Sequence, residues 1–196
     1  MKKVCSIAML ALAALAFQSC GGAGSNDSKE NADSANYTKD TSTNAVETGG
    51  IAVVNDDAEF AVAAANAGMA EVELSKLAET KATNAKAKEF AGMMVKDHGG
   101  ANQKLMDLAK AKNITLPTTV GADEQKTMAD LQTKTGADFD KAYVDVMVKD
   151  HKKAVDLFEG AAKDAKDAEI KAFATETLPT LKSHLQAIET IQKGIK

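Results

Sequence analysis

The residues best suited to chemistry are the chain's three histidines, His98, His151 and His184. Two of them close the same pentapeptide, Met94-Val95-Lys96-Asp97-His98 and Met147-Val148-Lys149-Asp150-His151. The likeness runs on, with Phe90 answering to Tyr143, Ala101 to Ala154, Leu105 to Phe158 and Lys110 to Lys163. Each histidine falls in an apolar stripe at helical spacing, and Asp97 and Asp150 flank two of the stripes. Glu71 interrupts a further stripe. A carboxylate turned inward costs several kcal/mol unless it has a partner or a metal. Glu71, Asp97, His98, Asp150, His151 and His184 therefore form one pool of candidate ligands for a transition metal. Imidazole suits Cu, Zn, Fe and Ni, and Met94 and Met147, each four residues ahead of a histidine, would favour Cu(I). The competing reading is a satisfied polar layer in which Asp–His hydrogen bonds fix helix register and no metal binds.

Several chemistries are disfavoured. A di-iron oxidase needs Glu three residues before an inward His, but those positions hold Val95, Val148 and Leu181. No phosphate-cradling glycine loop, His-Glu-x-x-His or Cys-x-x-Cys is present, and no nucleophile–base set stands out. The chain has no Arg and a net charge of −4, which argues against nucleic acid as a partner. Met93, Met94, Met106 and Met147 also serve as flexible core filler.

Four long helical patterns must carry these residues. The first runs from about Asp57 to Lys81 and the second from Ala85 to near Asn113. The third starts near Asp138, and the fourth spans about Asp167 to Ile195. A short helix is expected near Asp123 to Lys134. Helices of ~25 residues are ~37 Å long. Short links within each pair and one long link between the pairs predict an all-α, ferritin-like four-helix bundle whose long crossover contains a short helix. Gly99-Gly100, answered by Lys152-Lys153 in the second copy, belong on the surface. Pro179 predicts a kink or restart in the last helix.

The first 19 residues read as a lipoprotein signal peptide: Lys2 and Lys3, an apolar run from Ile7 to Phe17 too short to span a bilayer, then Ser19-Cys20. Cys20 would carry the lipid, making membrane lipid a partner, and Cys5 would leave with the signal. Gly21 is not an inner-membrane retention Asp, which points to the outer membrane. The polar stretch 20–55 has no periodicity and reads as a disordered tether, leaving 56–196 as the bundle domain.

Taken together, Glu71 to Ala78, Phe90-Ala91, Met94 to His98, Leu116-Pro117, Phe139-Asp140, Tyr143, His151, Thr177-Leu178-Pro179 and His184-Leu185 resemble the bacterial domain-of-unknown-function family 4142 across roughly residues 56–194. The resemblance implies a ferritin-like fold in a secreted or envelope-anchored protein, and singles out Glu71, Asp97, His98, His151 and His184. It implies no settled activity. The leading expectation is a non-enzymatic envelope lipoprotein binding a transition metal. A structural or protein-interaction lipoprotein is the alternative, and a metal-dependent oxidoreductase ranks third.

Overall fold

The computed structural model describes residues 27–39 and 54–195. The signal peptide, Cys20 and most of the 20–55 segment lie outside the described residues. Six helices follow in order: α1 Ser28–Tyr37, α2 Asn55–Lys81, α3 Ala85–Ala111, α4 Ala122–Gln132, α5 Gly136–Asp164 and α6 Ala168–Gly194. The four long helices form the bundle. The α2–α3 and α5–α6 hairpins pack side by side, with α2 against α5 and α3 against α6. Helix α4 lies in the long crossover, so the expected ferritin-like architecture is the one observed.

Capping explains where the helices begin. Asn84 accepts from the amides of Lys86 and Ala87 at the start of α3, and Asp167 accepts from Glu169 and Ile170 at the start of α6. Helix α3 ends when Asn113 turns to φ 56°, a left-handed conformation that Asn tolerates. The amide of Ile114 then donates back to Ala109 O at 2.8 Å, closing a Schellman-type stop ahead of Leu116-Pro117. Helix α6 continues unbroken through Pro179, so the expected restart does not occur there.

Two buried aspartates tie the hairpins together in mirrored fashion. Asp140, near the start of α5, accepts from Thr83 N, Thr83 Oγ1 and Asn84 N at the α2–α3 turn. Asp57, near the start of α2, accepts from Lys166 N and Asp167 N at the α5–α6 turn. Asp140 follows Asp57 by the same interval as Asp167 follows Asn84. The start of each hairpin thus holds the turn of the other, which gives the bundle an approximate two-fold repeat and makes neighbouring helices antiparallel.

The expectation of a disordered tether over 20–55 is corrected for residues 28–37, which form α1 and dock on α2. Only Ala32 and Asn36 of this helix are buried, so it shows no apolar stripe. Polar bonds to the crossover hold it instead. Asn36 donates to Thr115 O at 2.8 Å and accepts from Thr115 N at 2.7 Å. Ser28 Oγ accepts from Thr118 N, and Asp27 from Ala122 N. On the other side of the crossover, buried Asn66 of α2 accepts from Gly121 N at 2.7 Å.

The apolar core falls into two clusters. One gathers Phe60, Ala64, Leu105, Ala154, Phe158, Ile170 and Leu181; the other Leu74, Phe90, Met94, Leu131, Phe139, Tyr143, Met147 and Ile188. Glu71, His98, His151 and His184 separate them as a polar waist.

The turn clamps are testable. Replacing Asp140 by Ala strips the acceptor from two turn amides and a hydroxyl, and should cost about 2–3 kcal/mol. Asp57→Ala should cost slightly less. Urea denaturation reads both; unchanged midpoints would show that the turns are held by other contacts.

Candidate metal centre

Each bundle helix places one side chain at the waist: Glu71 from α2, His98 from α3, His151 from α5 and His184 from α6. All four are buried, His151 completely and Glu71 to 2% exposure. The rings close on one another, with centroid separations of 5.4 Å for His98–His151, 5.4 Å for His98–His184 and 5.7 Å for His151–His184. Phe90 meets the His151 and His184 rings edge-on from the side of the second cluster.

One nitrogen of each ring is fixed by a partner. His98 Nδ1 lies 2.9 Å from Glu71 Oε2. His184 Nε2 lies 3.1 Å from Asp97 Oδ2. His151 Nδ1 lies 3.0 Å from the Met147 carbonyl one turn back. Glu71 Oε1 is also 3.1 Å from His151 Nδ1, but the N–H is spent on Met147 O. Oε1 therefore feels that ring's field without a hydrogen bond. The remaining nitrogens, His98 Nε2, His151 Nε2 and His184 Nδ1, are buried without any hydrogen-bond partner among the described residues, as is Glu71 Oε1. A buried polar atom left unpaired costs about 1–3 kcal/mol, so four of them in one layer require an explanation such as an ion or ordered water.

The geometry is compatible with an ion. One ring nitrogen from each histidine lies within 4.8 Å of its counterparts. Three points so spaced sit within about 2.8 Å of a common centre, and small side-chain rotations would bring that to the ~2.0–2.1 Å of a metal–imidazole bond. The partner that each ring already holds on one nitrogen is of the kind that metal-binding histidines use to fix ring and tautomer, a carboxylate or a backbone carbonyl. Glu71 and Asp97 stand where such orienting groups stand, and Glu71, a ligand candidate from the sequence, does not join the converging set of donors.

The charges are consistent with one proton shared across the layer. Burial works to raise the Glu71 carboxyl's pKa, but the His98 charge and hydrogen bond outweigh it and hold it below its usual value. Burial likewise pulls His98 down, yet Glu71 prevails and raises it. His151 and His184 are lowered, mainly by burial and, for His184, next by the neighbouring His98. These directions favour charge separation between Glu71 and His98 and the neutral form of His151 and His184.

Other sequence candidates fall elsewhere. Asp150 makes no hydrogen bond or ion pair with a histidine; its carboxylate stands 4.0 Å from Lys153 Nζ. Burial, then the charge of Glu71, raises its pKa. Met94 and Met147 are fully buried core residues, Met93 is half-buried and Met106 is exposed. Gly99 and Gly100 are exposed, with open space around them. Sequence reasoning passed over Gly68, where an added Cβ would come within 2.1 Å of Asn102 Oδ1. Helical register could have flagged it, since it lies one turn before Glu71.

Residues 41–191 match the family described as Domain of unknown function (DUF4142). The chain belongs to that family. No curated protein gives a significant match. Among solved structures, this DUF4142 chain is similar to a DUF305 protein from Streptomyces coelicolor, at 15% identity and TM-score 0.59, over 69% of this chain and 91% of that one. It is similar also to CopM in its Cu(II)-bound form, at 12% identity and TM-score 0.60, over 70% of this chain and 96% of that one. At such identities the likeness is one of fold, and it identifies the DUF4142 bundle as ferritin-like. No described helix is long and apolar enough to cross a membrane.

The Glu71–His98 pair sets a pH signature for the metal-free protein. Glu71, lowered from 4.5, stabilises the fold above that value and loses its contribution as pH falls through its folded pKa. His98, raised from 6.5, stabilises below that value and loses its contribution as pH rises through its folded pKa. Glu71→Gln should therefore be most damaging between pH 4.5 and 6.5, by about 3 kcal/mol for a stranded buried charge. The penalty should shrink at higher pH. Denaturant titrations of both proteins across pH measure it, and a pH-independent penalty would refute the ion pair.

Proposed function

We propose that this DUF4142 protein is a lipid-anchored, extracytoplasmic bundle that binds one transition-metal ion through His98, His151 and His184, with Glu71 and Asp97 orienting two of the rings. The observation that carries the proposal is the set of three buried imidazole nitrogens without partners, each on a ring whose other nitrogen is already held. A purely structural polar layer would pair those atoms with one another or replace them. Three imidazoles suit copper, zinc and iron, and copper(II) tops the divalent affinity order for nitrogen donors. The Cu(II)-bound CopM, a protein of the same fold, also supports copper as the first metal to test.

For location, Ser19-Cys20 after the apolar run supports lipidation at Cys20, with the outer membrane as destination. The DUF305 neighbour is itself predicted to be secreted. With α1 docked from Ser28 onward, the lead from Cys20 to the folded body reaches at most about 29 Å, which keeps the domain near its anchor.

Tag-free protein refolded without metal should take up one equivalent of Cu(II) or Zn(II) by elemental analysis and titration. The triple variant His98→Leu, His151→Leu, His184→Leu should take up none while remaining folded. Absence of stoichiometric uptake by the wild type would leave the structural reading. Separately, Cys20→Ser should move the protein from the detergent phase to the aqueous phase on membrane fractionation; an unchanged distribution would remove the anchor.

A further inference from the structure

A second layer of side chains lies one helical turn from the waist, toward the first core cluster. It contains Gly68, Ala101, Ala154 and Leu181, each three residues from Glu71, His98, His151 or His184 respectively. The two-fold repeat that carries Asp57 onto Asp140 also carries Gly68 onto His151, Ala101 onto His184, Leu181 onto His98 and Glu71 onto Ala154. The second layer is therefore the counterpart of the metal centre, with a ligand-type side chain at none of its positions. Three of its four residues are Gly or Ala, and the space their side chains leave is a cavity.

Gly68, Ala101, Ala154 and Leu181 line that cavity, together with Glu71, Asp97, His98 and His184 from the waist. The far wall is apolar, formed by Leu105, Phe158 and Phe173. Asn102, packed over the bare Gly68 backbone, and the partly or fully exposed Thr177 and Thr180 form a polar rim. The cavity offers about 40 Å³ to water-sized occupants, where one water needs roughly 10–15 Å³ on that measure. It is thus sized for two or three waters or for one linear ligand of two or three atoms.

We propose that the metal centre keeps a coordination position open to this cavity, which admits a small exogenous ligand of two or three atoms, such as azide. The inference rests on the metal reading above and deepens it. A closed structural site is saturated by protein donors, whereas a site with three protein ligands beside an accessible cavity holds a fourth, exchangeable one.

The test uses the full chain loaded with one equivalent of Cu(II) and titrated with sodium azide. An azide-to-copper charge-transfer band saturating at one azide per copper is expected, with a shifted azide stretch in the infrared. Ala101→Leu narrows the cavity from a half-exposed lining position; it should retain one copper and bind azide at least tenfold more weakly. Ala67→Leu, at another half-exposed lining position, serves as a second variant should the first fold poorly. Copper uptake without an azide band in the wild type, or filled variants that bind azide like the wild type, would overturn the open position alone. Failure to take up copper at all would overturn both this inference and the metal reading.

Discussion

The Glu71 carboxylate sits where the four long helices converge, nearly sealed from water, and the surrounding layer can be understood from what that burial demands. A buried carboxylate is tolerated only if positive charge or several donors reach it. His98 supplies the charge at 2.9 Å, and that protonation in turn discourages His184 from taking a second proton. His151 is kept neutral chiefly by its own burial. One acid thus holds the proton on His98, while burial keeps it off His151 and His184. A metal ion would replace one ring proton of His98 with a larger charge at the centre of the layer, and would give the three unpaired ring nitrogens a common partner. Binding would release that proton, so affinity and pH would be linked.

The layer also has a structural cost. It splits the hydrophobic core into two clusters, each of which must be stable beside a polar boundary. The aromatic group Phe60, Phe158 and Phe173, with ring centroids 5.1 to 6.5 Å apart, consolidates one side. Phe139 stacked on Tyr143, whose hydroxyl pairs with Ser75 at 2.9 Å, consolidates the other. The buried turn clamps of Asp57 and Asp140 then lock the two hairpins end to end. This arrangement fixes helix register without relying on the waist itself, so the waist residues are free to be chosen for ligand chemistry.

The long helices were legible in the sequence because each repeats apolar residues at steps of three and four, and α3 and α6 begin at the capping residues Asn84 and Asp167. The three histidines and Glu71 were legible for the same reason, as polar interruptions of apolar stripes. Helix α1 was not, because its stability comes from Asp27, Ser28 and Asn36 bonding to the backbone of a crossover far along the chain. No local pattern announces such contacts. Asp57 and Asp140 were equally hidden: an aspartate near the start of a helix looks like an ordinary response to the helix dipole, and only the antiparallel packing shows that each serves the opposite hairpin. The cavity was hidden because small residues give no signal until two helical registers are compared.

The duplicated pentapeptide was informative and also misleading. Its copies lie on α3 and α5, which the two-fold repeat does not exchange; that repeat pairs α2 with α5 and α3 with α6. The two Asp-His units therefore face different neighbours. Asp97 reaches across to His184 on α6, whereas Asp150 feels the charges of Glu71 on α2 and Glu124 on α4 and joins no ring. Identical local sequence gives identical helical geometry, so both histidines point inward. The residue just before each histidine points about 100° away around the helix, and what it meets there depends on the neighbouring helix. The histidines keep equivalent inward positions because the bundle axis is common to both helices, and the aspartates diverge because their flanks are not.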